Sequence, residues 1–397
     1  MPVGAPAARA TAWVDTDALA RNCRRLADRL GPRRLLCAVV KANGYGHGFE
    51  LAARAALAGG ARWLAVASAD EALALRDAGL DARTLVMGAL SERELADALR
   101  CSADVVVWEL GFVERVAQVA QRLGVVARCH IKLDTGMGRL GTRSERTALA
   151  CAELVATRPS LELAGAMTHF ATADELDDDG YFDAQLERFT RLVAILREAL
   201  GSRFVAHAAN SAAVFRDPRS HFDMARCGIA IYGLDPFHED AHARGLEPVL
   251  TLESYLACVK QLDRGESVGY GRTWRAERPT RVGIVPIGYG DGIRRALSNR
   301  GWVLVGGRRR PIVGTISMDN LAVDLGPRPE GERIGEPVVL IGGQGEERIS
   351  AEEVARLLGT INYEVATALA ARVRRLPLSR RAAELPPGAG SARCEHG

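Results

Sequence analysis

The feature that most constrains the fold is a regular alternation between two patterns that runs from Leu35 to about Tyr232. Short apolar runs are typical of buried parallel strands, and the Ala- and Leu-rich amphipathic stretches between them are typical of helices. The strand candidates cover residues 35–40, 63–67, 84–87, 104–108, 127–133, 162–169, 204–208 and 223–227. The clearest helix candidates cover residues 49–58, 69–78, 111–123 and 180–200.

These strand–helix units predict an α/β fold in which parallel strands close into a TIM-like (β/α)8 barrel. An open, doubly wound sheet is the alternative that the pattern alone leaves open. Beyond about Gly245 the apolar runs follow one another without long helices, and Gly-rich turns separate them. This second sequence pattern predicts a mainly antiparallel β domain.

Capping patterns add detail to two of the predicted helices. Ser68, with Glu71 three residues on, has the pattern of a capping box at the start of helix 69–78. Ser350 and Glu353 have the same spacing and predict one short helix over about 351–358 in the β domain.

The predicted organisation is a disordered tail (1–10), the (β/α)8 barrel (11–245), a C-terminal β domain (246–385) and a second disordered tail (386–397). The first strand, near Thr11–Val14, could pack with the β domain instead of the barrel.

The amino-acid composition limits the classes of binding partner that the chain is expected to have. The 397 residues include 52 basic and 49 acidic ones, and a net charge of +3 predicts neither a nucleic-acid nor a membrane partner. The N-terminus lacks the apolar core of a signal peptide, and no apolar run is long enough to span a bilayer, so the expected location is the cytoplasm. Eight cysteines without C-x-x-C spacing are expected to be buried thiols, with no metal site.

A barrel carries its active site at the carboxyl ends of its strands, so the polar residues at those ends are the candidate site. They are Lys41, Asn43, Tyr45, Lys132, Asp134, Arg139, His169, Asn210, Ser211, Arg226, Gly228 and Ile229.

Lys41 ends the apolar run LLCAVVK. Burial lowers the pKa of a lysine and suits it to a Schiff base with a carbonyl, although a lysine at a strand end can also extend to solvent. The loop NGYGHG (43–48) fits neither a P-loop nor a dinucleotide fingerprint. Asn210, Ser211 and the amides of Gly228 and Ile229 follow the last two strands, where barrels often bind phosphate, or Asn210–Ser211 caps a helix.

Nine segments, in order along nearly the whole chain, resemble the alanine racemase family. In the barrel they are AVVKANGYGHG (38–48), KLDTGMGRLG (132–141), MTHFATAD (167–174), HAANSAA (207–213) and ARCGIAIYG (225–233). In the second half they are VGYGRTW (268–274), IGYGDGIRR (287–295), TISMDN (315–320) and INYE (361–364).

The resemblance implies a pyridoxal 5'-phosphate enzyme. Lys41 would hold the cofactor and act as one catalytic base, and Tyr270 of the partner subunit would be the other. Arg226 would face the pyridine nitrogen, with His169 behind it. The residues implied at the phosphate are Tyr45, Asn210, Ser211, Gly228, Ile229 and Tyr363.

The resemblance also implies a substrate pocket. Arg139 would contact the cofactor's phenolic oxygen and the substrate carboxylate, and Lys132 matches a lysine that is often carbamylated and would orient Arg139. Met318 and Asp319 would come from the partner subunit. Tyr289 and Tyr363 would narrow the entrance.

The implied function is the interconversion of L- and D-alanine for peptidoglycan synthesis by a homodimer with shared active sites. A serine or lysine racemase is one alternative, but such enzymes are usually exported. A non-catalytic pyridoxal phosphate homeostasis barrel would lack the β domain, and the motifs of a barrel-type decarboxylase differ. Three departures from the family pattern, Ser317, Gly290 and Trp274, are expected to be mild.

Overall fold

The computed structural model describes residues 8–177, 179–201 and 203–378, and they divide into two compact units. The barrel unit comprises Asp17–Pro248 and Thr360–Thr367. The β unit comprises Val249–Gly359 and the described residues before Asp17 and after Thr367, including strand β1 (Thr11–Val14).

Strand β1 belongs to the β unit, which is the alternative that the sequence analysis left open for it. Thr360–Thr367 belongs to the barrel unit, although the sequence-based division includes it in the C-terminal β domain. Most of the two tails that we expected to be disordered, residues 1–7 and 386–397, lies outside the described residues. Arg9 is described, and its guanidinium lies 2.7 Å from the Asp291 carboxylate.

The barrel sheet is parallel, and its strands from β2 to β8 pair in chain order, which confirms the predicted α/β barrel. Its strands are β2 (Leu35–Val39), β3 (Trp63–Val66), β4 (Arg83–Val86), β5 (Asp104–Val107), β6 (Ala127–Lys132), β7 (Leu161–Met167), β8 (Val205–His207) and β9 (Met224–Cys227). β9 pairs with β2, and hydrogen bonds from Asp223 N to Ala206 O (3.0 Å) and from Arg226 N to Ala209 O (2.9 Å) join the segments of β9 and β8. These bonds close the sheet, so the open doubly wound alternative is wrong.

The helices of the two units, in chain order, are α1 (Thr16–Leu30), α2 (Lys41–Tyr45), α3 (Phe49–Ala58), α4 (Ala69–Asp77), α5 (Glu92–Arg100), α6 (Leu110–Leu123), α7 (Glu145–Thr157), α8 (Tyr181–Leu200), α9 (Ser211–Arg216), α10 (Ala351–Leu358) and α11 (Asn362–Thr367). Short 3-10 turns cover Pro218–Ser220, Ile229–Tyr232, Ala241–Arg244, Tyr270–Arg272, Tyr289–Asp291 and Arg295–Leu297.

One predicted cap forms only in part. Ser68 Oγ accepts a hydrogen bond from Glu71 N at 3.3 Å, as a capping residue should, but the Glu71 carboxylate does not return to Ser68. It accepts from Ala67 N and Ala42 N instead, each at 2.7 Å. Glu71 thus ties together the loops that follow β2 and β3, which local sequence spacing does not predict.

The β unit is mainly antiparallel, as predicted. Its remaining strands are β10 (Leu250–Tyr255), β11 (Cys258–Leu262), β12 (Ser267–Val268), β13 (Trp274–Arg275), β14 (Thr280–Val285), β15 (Trp302–Val305), β16 (Arg308–Val313), β17 (Leu321–Gly326), β18 (Pro337–Gln344), β19 (Glu347–Ile349) and β20 (Arg374–Pro377). The main sheet runs β11-β14-β17-β16-β15-β18-β10-β1-β20, with β19 beside β18 and only β1–β20 parallel. β12 and β13 form a separate ribbon.

The cysteines that the structure describes are free thiols, all buried except the half-buried Cys258. Cys394 lies outside the described residues. Among the helices of the described ranges, none combines the length and the apolar character needed to cross a bilayer.

Candidate active site

The carboxyl ends of the barrel strands surround a cavity of about 350 Å3. Every residue that the resemblance assigns to the cofactor lines it: Lys41, Tyr45, Arg139, His169, Asn210, Ser211, Arg226, Gly228, Ile229 and Tyr363. Lys132 lines it as well, together with residues that the sequence analysis did not single out: Val39, Ala42, Met87, Met167 and Thr367.

Lys41 begins a short segment of unusual backbone. Ala42, Asn43, Gly44 and Tyr45 have φ angles of 54°, 55°, 59° and 50°, so the chain makes a left-handed turn directly after the lysine. Each non-glycine residue held in this region costs on the order of 1–2 kcal/mol, and such strain persists only where the surroundings enforce it.

Neighbouring groups hold the turn in place. Glu71 accepts from Ala42 N, and Asn43 Oδ1 accepts from Phe49 N at 2.9 Å. Helix α11 packs so closely on Gly46 that a Cβ there would lie 2.0 Å from the carbonyl oxygen of Ala366. The backbone position of Lys41 is therefore fixed by contacts on both sides of the turn.

Four cations converge on the cavity, namely Lys41, Lys132, Arg139 and Arg226. In the described part of the chain, no carboxylate lies within ion-pair distance of any of them. Burial, and then the charge of Arg139, lowers the pKa of Lys41. Burial, followed by Arg226 and Arg139, lowers the pKa of Lys132 to about 8. A cavity with this charge is suited to anions.

The two cavity lysines stand out in this chain. Only three of its 52 basic residues are lysines, and the third, Lys260, is exposed on β11. A guanidinium cannot give up its proton in a protein, whereas a buried ammonium group can. Arginine is thus used almost everywhere except at two cavity positions where a neutral amine can form.

Arg226 is buried and held by several acceptors. Its Nη1 donates to His207 O (2.9 Å) and lies 3.0 Å from His207 Nδ1. Its Nη2 donates to the carbonyl oxygens of Thr168 (2.8 Å) and Ala208 (3.0 Å) and lies 3.3 Å from His169 Nδ1. Burial, and then the charges of Arg226 and Arg139, holds the pKa of His169 well below its ordinary value, so His169 is neutral.

The Tyr45 hydroxyl lies directly against the backbone of Gly228. A Cβ on Gly228 would lie 2.3 Å from the Tyr45 hydroxyl, so only glycine leaves room for this hydroxyl at the cavity wall. The ring centroids of Tyr45 and Tyr363 are 6.1 Å apart. Burial raises the pKa of both phenols, so at neutral pH both are hydrogen-bond donors.

Asn210 and Ser211 act in the local structure as well. Asn210 caps α9 through a bond from Ala213 N at 3.0 Å, which confirms the capping interpretation. Ser211 Oγ accepts from Gly228 N (3.1 Å) and Ala230 N (3.3 Å) and so joins the two loops that follow β8 and β9.

These residues fit the implied cofactor, which is a phosphorylated aromatic aldehyde. Hydroxyl donors beside Gly228 suit the phosphate, a lysine of lowered pKa suits the aldehyde, and the buried guanidinium suits the ring nitrogen.

Arg139 stands on a loop that a buried carboxylate organises. Asp134 accepts from Gly136 N (3.1 Å), Gly138 N (2.9 Å) and Arg143 Nε (3.0 Å). Burial raises the pKa of Asp134, but the hydrogen bonds from Gly138 and Arg143 outweigh burial, so the pKa is lowered and the carboxylate stays ionised. Asp134 therefore belongs to the site through the loop that it shapes.

The other predicted site residues lie in the β unit. Tyr270 is 73% exposed and starts the turn between β12 and β13. Met318 and Tyr289 are also exposed. The Asp319 carboxylate is paired with Arg372 at 2.9 Å and with Arg9 at 3.4 Å.

Two of the three departures have visible local effects. A Cβ at Gly290 would lie 2.5 Å from the end of the Arg372 side chain, so alanine there would displace a flexible guanidinium. Ser317 Oγ closes its own loop by donating to Asn320 O at 2.8 Å and accepting from Asn320 N at 3.0 Å. Trp274 pairs with Val268 in the β12–β13 ribbon.

The closed barrel, with a cationic cavity at the carboxyl ends of its strands, has the architecture of an enzyme barrel. The N-terminal domain model of alanine racemase matches residues 14–236, and the C-terminal domain model matches residues 249–377. The alanine racemase of Syntrophobacter fumaroxidans is 40% identical over 90% of this chain and 94% of its own length.

Comparison with solved structures gives the same family. The alanine racemase of the D-cycloserine producer Streptomyces lavendulae superimposes with a TM-score of 0.89 at 37% identity, covering 94% of this chain and 98% of that one. The Bartonella henselae alanine racemase, described with covalently bound pyridoxal phosphate, gives 0.82 at 29% identity over 93% and 99% of the two chains. The chain belongs to the alanine racemase family.

Proposed function

We propose that this protein interconverts L- and D-alanine with pyridoxal phosphate, using Lys41 and Tyr270 as its two bases. The observation that carries the proposal is the cavity lined by four cations, two of them lysines with lowered pKa, and by the Tyr45 hydroxyl that lies against Gly228. The cofactor, when bound, supplies the electron sink that acidifies the Cα–H bond of an amino acid. D-Alanine made in this way would feed peptidoglycan synthesis.

The binding roles follow from the chemistry of the lining residues. Lys41 would hold the aldehyde carbon. Tyr45, Asn210, Ser211, Gly228, Ile229 and Tyr363 would surround the phosphate. Arg139 would bind the substrate carboxylate, and His169 would line the site between Arg226 and the catalytic tyrosine.

Two bases on opposite faces of Cα explain racemisation, since one removes a proton and the other returns one. The lowered pKa of Lys41 suits its Nζ to accept a proton. The exposure of Tyr270 supports its supply to a partner's cavity, together with Met318 and Asp319, and Tyr289 would narrow the entrance. The proposed assembly is therefore a homodimer with shared sites.

Two cations have roles beyond binding. Arg226 cannot readily protonate the ring nitrogen, and this favours simple return of the proton over transamination. Lys132, with a pKa of about 8, has a reactive neutral fraction that could take up carbon dioxide. The resulting carbamate would turn a cation into an anion beside Arg139 and reduce the charge of the cavity.

The first experiment gives the purified protein L-alanine and measures D-alanine, with L-serine and L-lysine in parallel. A Lys41→Ala variant is the control. Rapid D-alanine formation that the variant loses is expected. Pyridoxal phosphate binding without racemisation would favour a homeostasis protein, and faster turnover of serine or lysine would change the substrate.

Subunit exchange tests the shared site. Lys41→Ala and Tyr270→Ala proteins, each nearly inactive, should regain part of the activity when mixed, because one site of the heterodimer keeps both bases. Verified heterodimers without any recovery would rule out a catalytic Tyr270 supplied in trans.

A further inference from the structure

A continuous chain of hydrogen bonds leads from Arg226 across the barrel interior through three side chains that the proposed reaction does not use. Arg226 Nη1 lies 3.0 Å from His207 Nδ1, His207 Nε2 lies 2.8 Å from His130 Nδ1, and His130 Nε2 lies 3.0 Å from Asp104 Oδ2. These residues stand on β9, β8, β6 and β5 and are buried. Barrel interiors are normally filled with branched apolar side chains, so a buried polar chain requires complete hydrogen bonding.

The positions of the protons follow from counting donors and acceptors. A guanidinium only donates, so His207 Nδ1 must accept, and its hydrogen is on Nε2. His207 Nε2 then donates to His130 Nδ1, and the hydrogen of His130 is on Nε2, from which it donates to Asp104. A doubly protonated His130 would leave His207 with two accepting nitrogens, which a neutral imidazole does not have. Both histidines are therefore neutral Nε2–H tautomers.

The electrostatics agree with this arrangement. Burial is the largest cause that lowers the pKa of His130 and of His207, with nearby Arg83, Arg226 and Lys132 acting in the same direction. Asp104 raises the pKa of His130, but burial and the two arginines leave the pKa below its ordinary value.

The surrounding residues hold this chain of hydrogen bonds in place at Asp104 and at His130. Asp104, the first residue of β5, also accepts from Arg83 Nη2 at 3.0 Å and Arg128 Nε at 2.6 Å, so its charge is fully compensated. A Cβ on Gly165 would lie 2.1 Å from His130 Nδ1, so the glycine makes the space for this ring. The edge of Trp63 closes another side of His130, with ring centroids 5.6 Å apart.

This chain of hydrogen bonds limits which donors of the Arg226 guanidinium remain available. Its Nη1 and Nη2 groups are engaged by His207, Thr168 and Ala208. Its Nε–H group has no acceptor among the described residues. We propose that Asp104, His130 and His207 are positioning residues that hold Arg226 in one orientation, with Nε–H left for the ring nitrogen of the cofactor. The proposal rests on the proposed function.

Histidine tautomers can be read without turnover. The full-length protein, labelled with 15N-histidine, is compared by NMR with and without pyridoxal phosphate, and the signals are assigned by their loss in His130→Gln and His207→Gln. We expect one proton on each ring, at Nε2, unchanged between pH 6 and pH 9. A proton on Nδ1 of either ring, or double protonation in this range, would overturn the proposal.

Function is tested with Asp104→Asn, which keeps the shape of the side chain but removes its charge. We expect kcat to fall about ten-fold, as is usual when an outer partner of a site residue is lost, with KM within about two-fold. The absorbance of the bound cofactor and the share of turnovers that end in transamination should change too. The control is Cys129→Ala, a buried neighbour of His130 on the same strand and outside the chain.

The outcomes separate the two proposals. Unchanged kcat, absorbance and transamination in Asp104→Asn would reject the positioning role. If that variant does not fold, His207→Gln and the tautomers of the unmodified protein still decide. Correct tautomers without any racemisation would reject the proposed function alone, whereas wrong tautomers with normal racemisation would reject the positioning chain alone.

Discussion

Trace acetylation with isotope-labelled acetic anhydride, which reacts with neutral amines, would measure the protonation of Lys132 directly. The amine is buried among Arg226, Arg139 and Lys41, and burial is the largest cause that lowers its pKa to about 8. The chain contains only two other lysines, so each modified peptide is identified by mass without ambiguity.

The magnitude follows from the pKa. An amine with a pKa of about 8 is roughly one-tenth neutral at pH 7 and nine-tenths neutral at pH 9, a rise of about ten-fold. An ordinary lysine with a pKa of about 10.4 rises about 100-fold over the same range. Restricted access to the cavity scales both rates at Lys132 equally and leaves the ratio between the two pH values unchanged.

The assay compares Lys132 with free Nα-acetyl-lysine in the same carbon dioxide-free buffer, and Lys260 reports whether the reagent reaches the protein. A ten-fold rise at Lys132 is expected, and bicarbonate should protect Lys132 while leaving Lys260 reactive. A rise near 100-fold would refute the assignment of a lowered pKa and, with it, the argument that this cavity favours the neutral amine.

Three further predictions concern stability and cofactor binding. The pKa of Lys132 is about 8 in the folded chain and about 10.4 in the unfolded chain, so between pH 8 and pH 10.4 the unfolded state binds more protons. The free energy of unfolding should therefore rise with pH over this range, by up to about 3 kcal/mol. Urea titrations of the Lys132→Met variant should lack that rise. Gly228→Ala should weaken pyridoxal phosphate binding at least about ten-fold, or ~1.4 kcal/mol, because the new Cβ would meet the Tyr45 hydroxyl. The control Gly111→Ala, in helix α6, should bind the cofactor normally. Equal affinities of the two variants in a fluorescence titration would contradict the role of Gly228. Asp291→Asn should lower the free energy of unfolding by about 2 kcal/mol, because the buried carboxylate accepts charge-assisted hydrogen bonds from two arginines. An unchanged midpoint of urea unfolding would show that these pairs contribute little.

The barrel could be predicted because its strands are buried runs with clear borders. The strand candidate at 63–67 became Trp63–Val66, and the helix candidate at 49–58 became Phe49–Ala58 without a shift. Parallel pairing hides both faces of such strands, so their apolar character is nearly continuous and easily recognised.

Contacts between residues that lie far apart in the sequence could not be predicted, because they depend on the tertiary structure. Glu71 has the spacing of a capping residue, and only the fold brings Ala42 N to its carboxylate. His130 and Asp104 are polar residues inside apolar strands, a signal that the sequence carried. A search restricted to strand ends could not relate them to each other, because their partners lie on different strands. Tyr363 lies far along the chain, yet α11 belongs to the barrel unit.

The scarcity of lysine has a practical consequence. Amine-reactive supports attach proteins through exposed lysines, and most proteins are therefore immobilised in many orientations. In this chain Lys260, on edge strand β11 of the β unit, is the exposed lysine, whereas Lys132 is buried and Lys41 is half-buried in the cavity. Coupling through lysine side chains would therefore attach the molecules by one edge of one sheet and leave them in a common orientation.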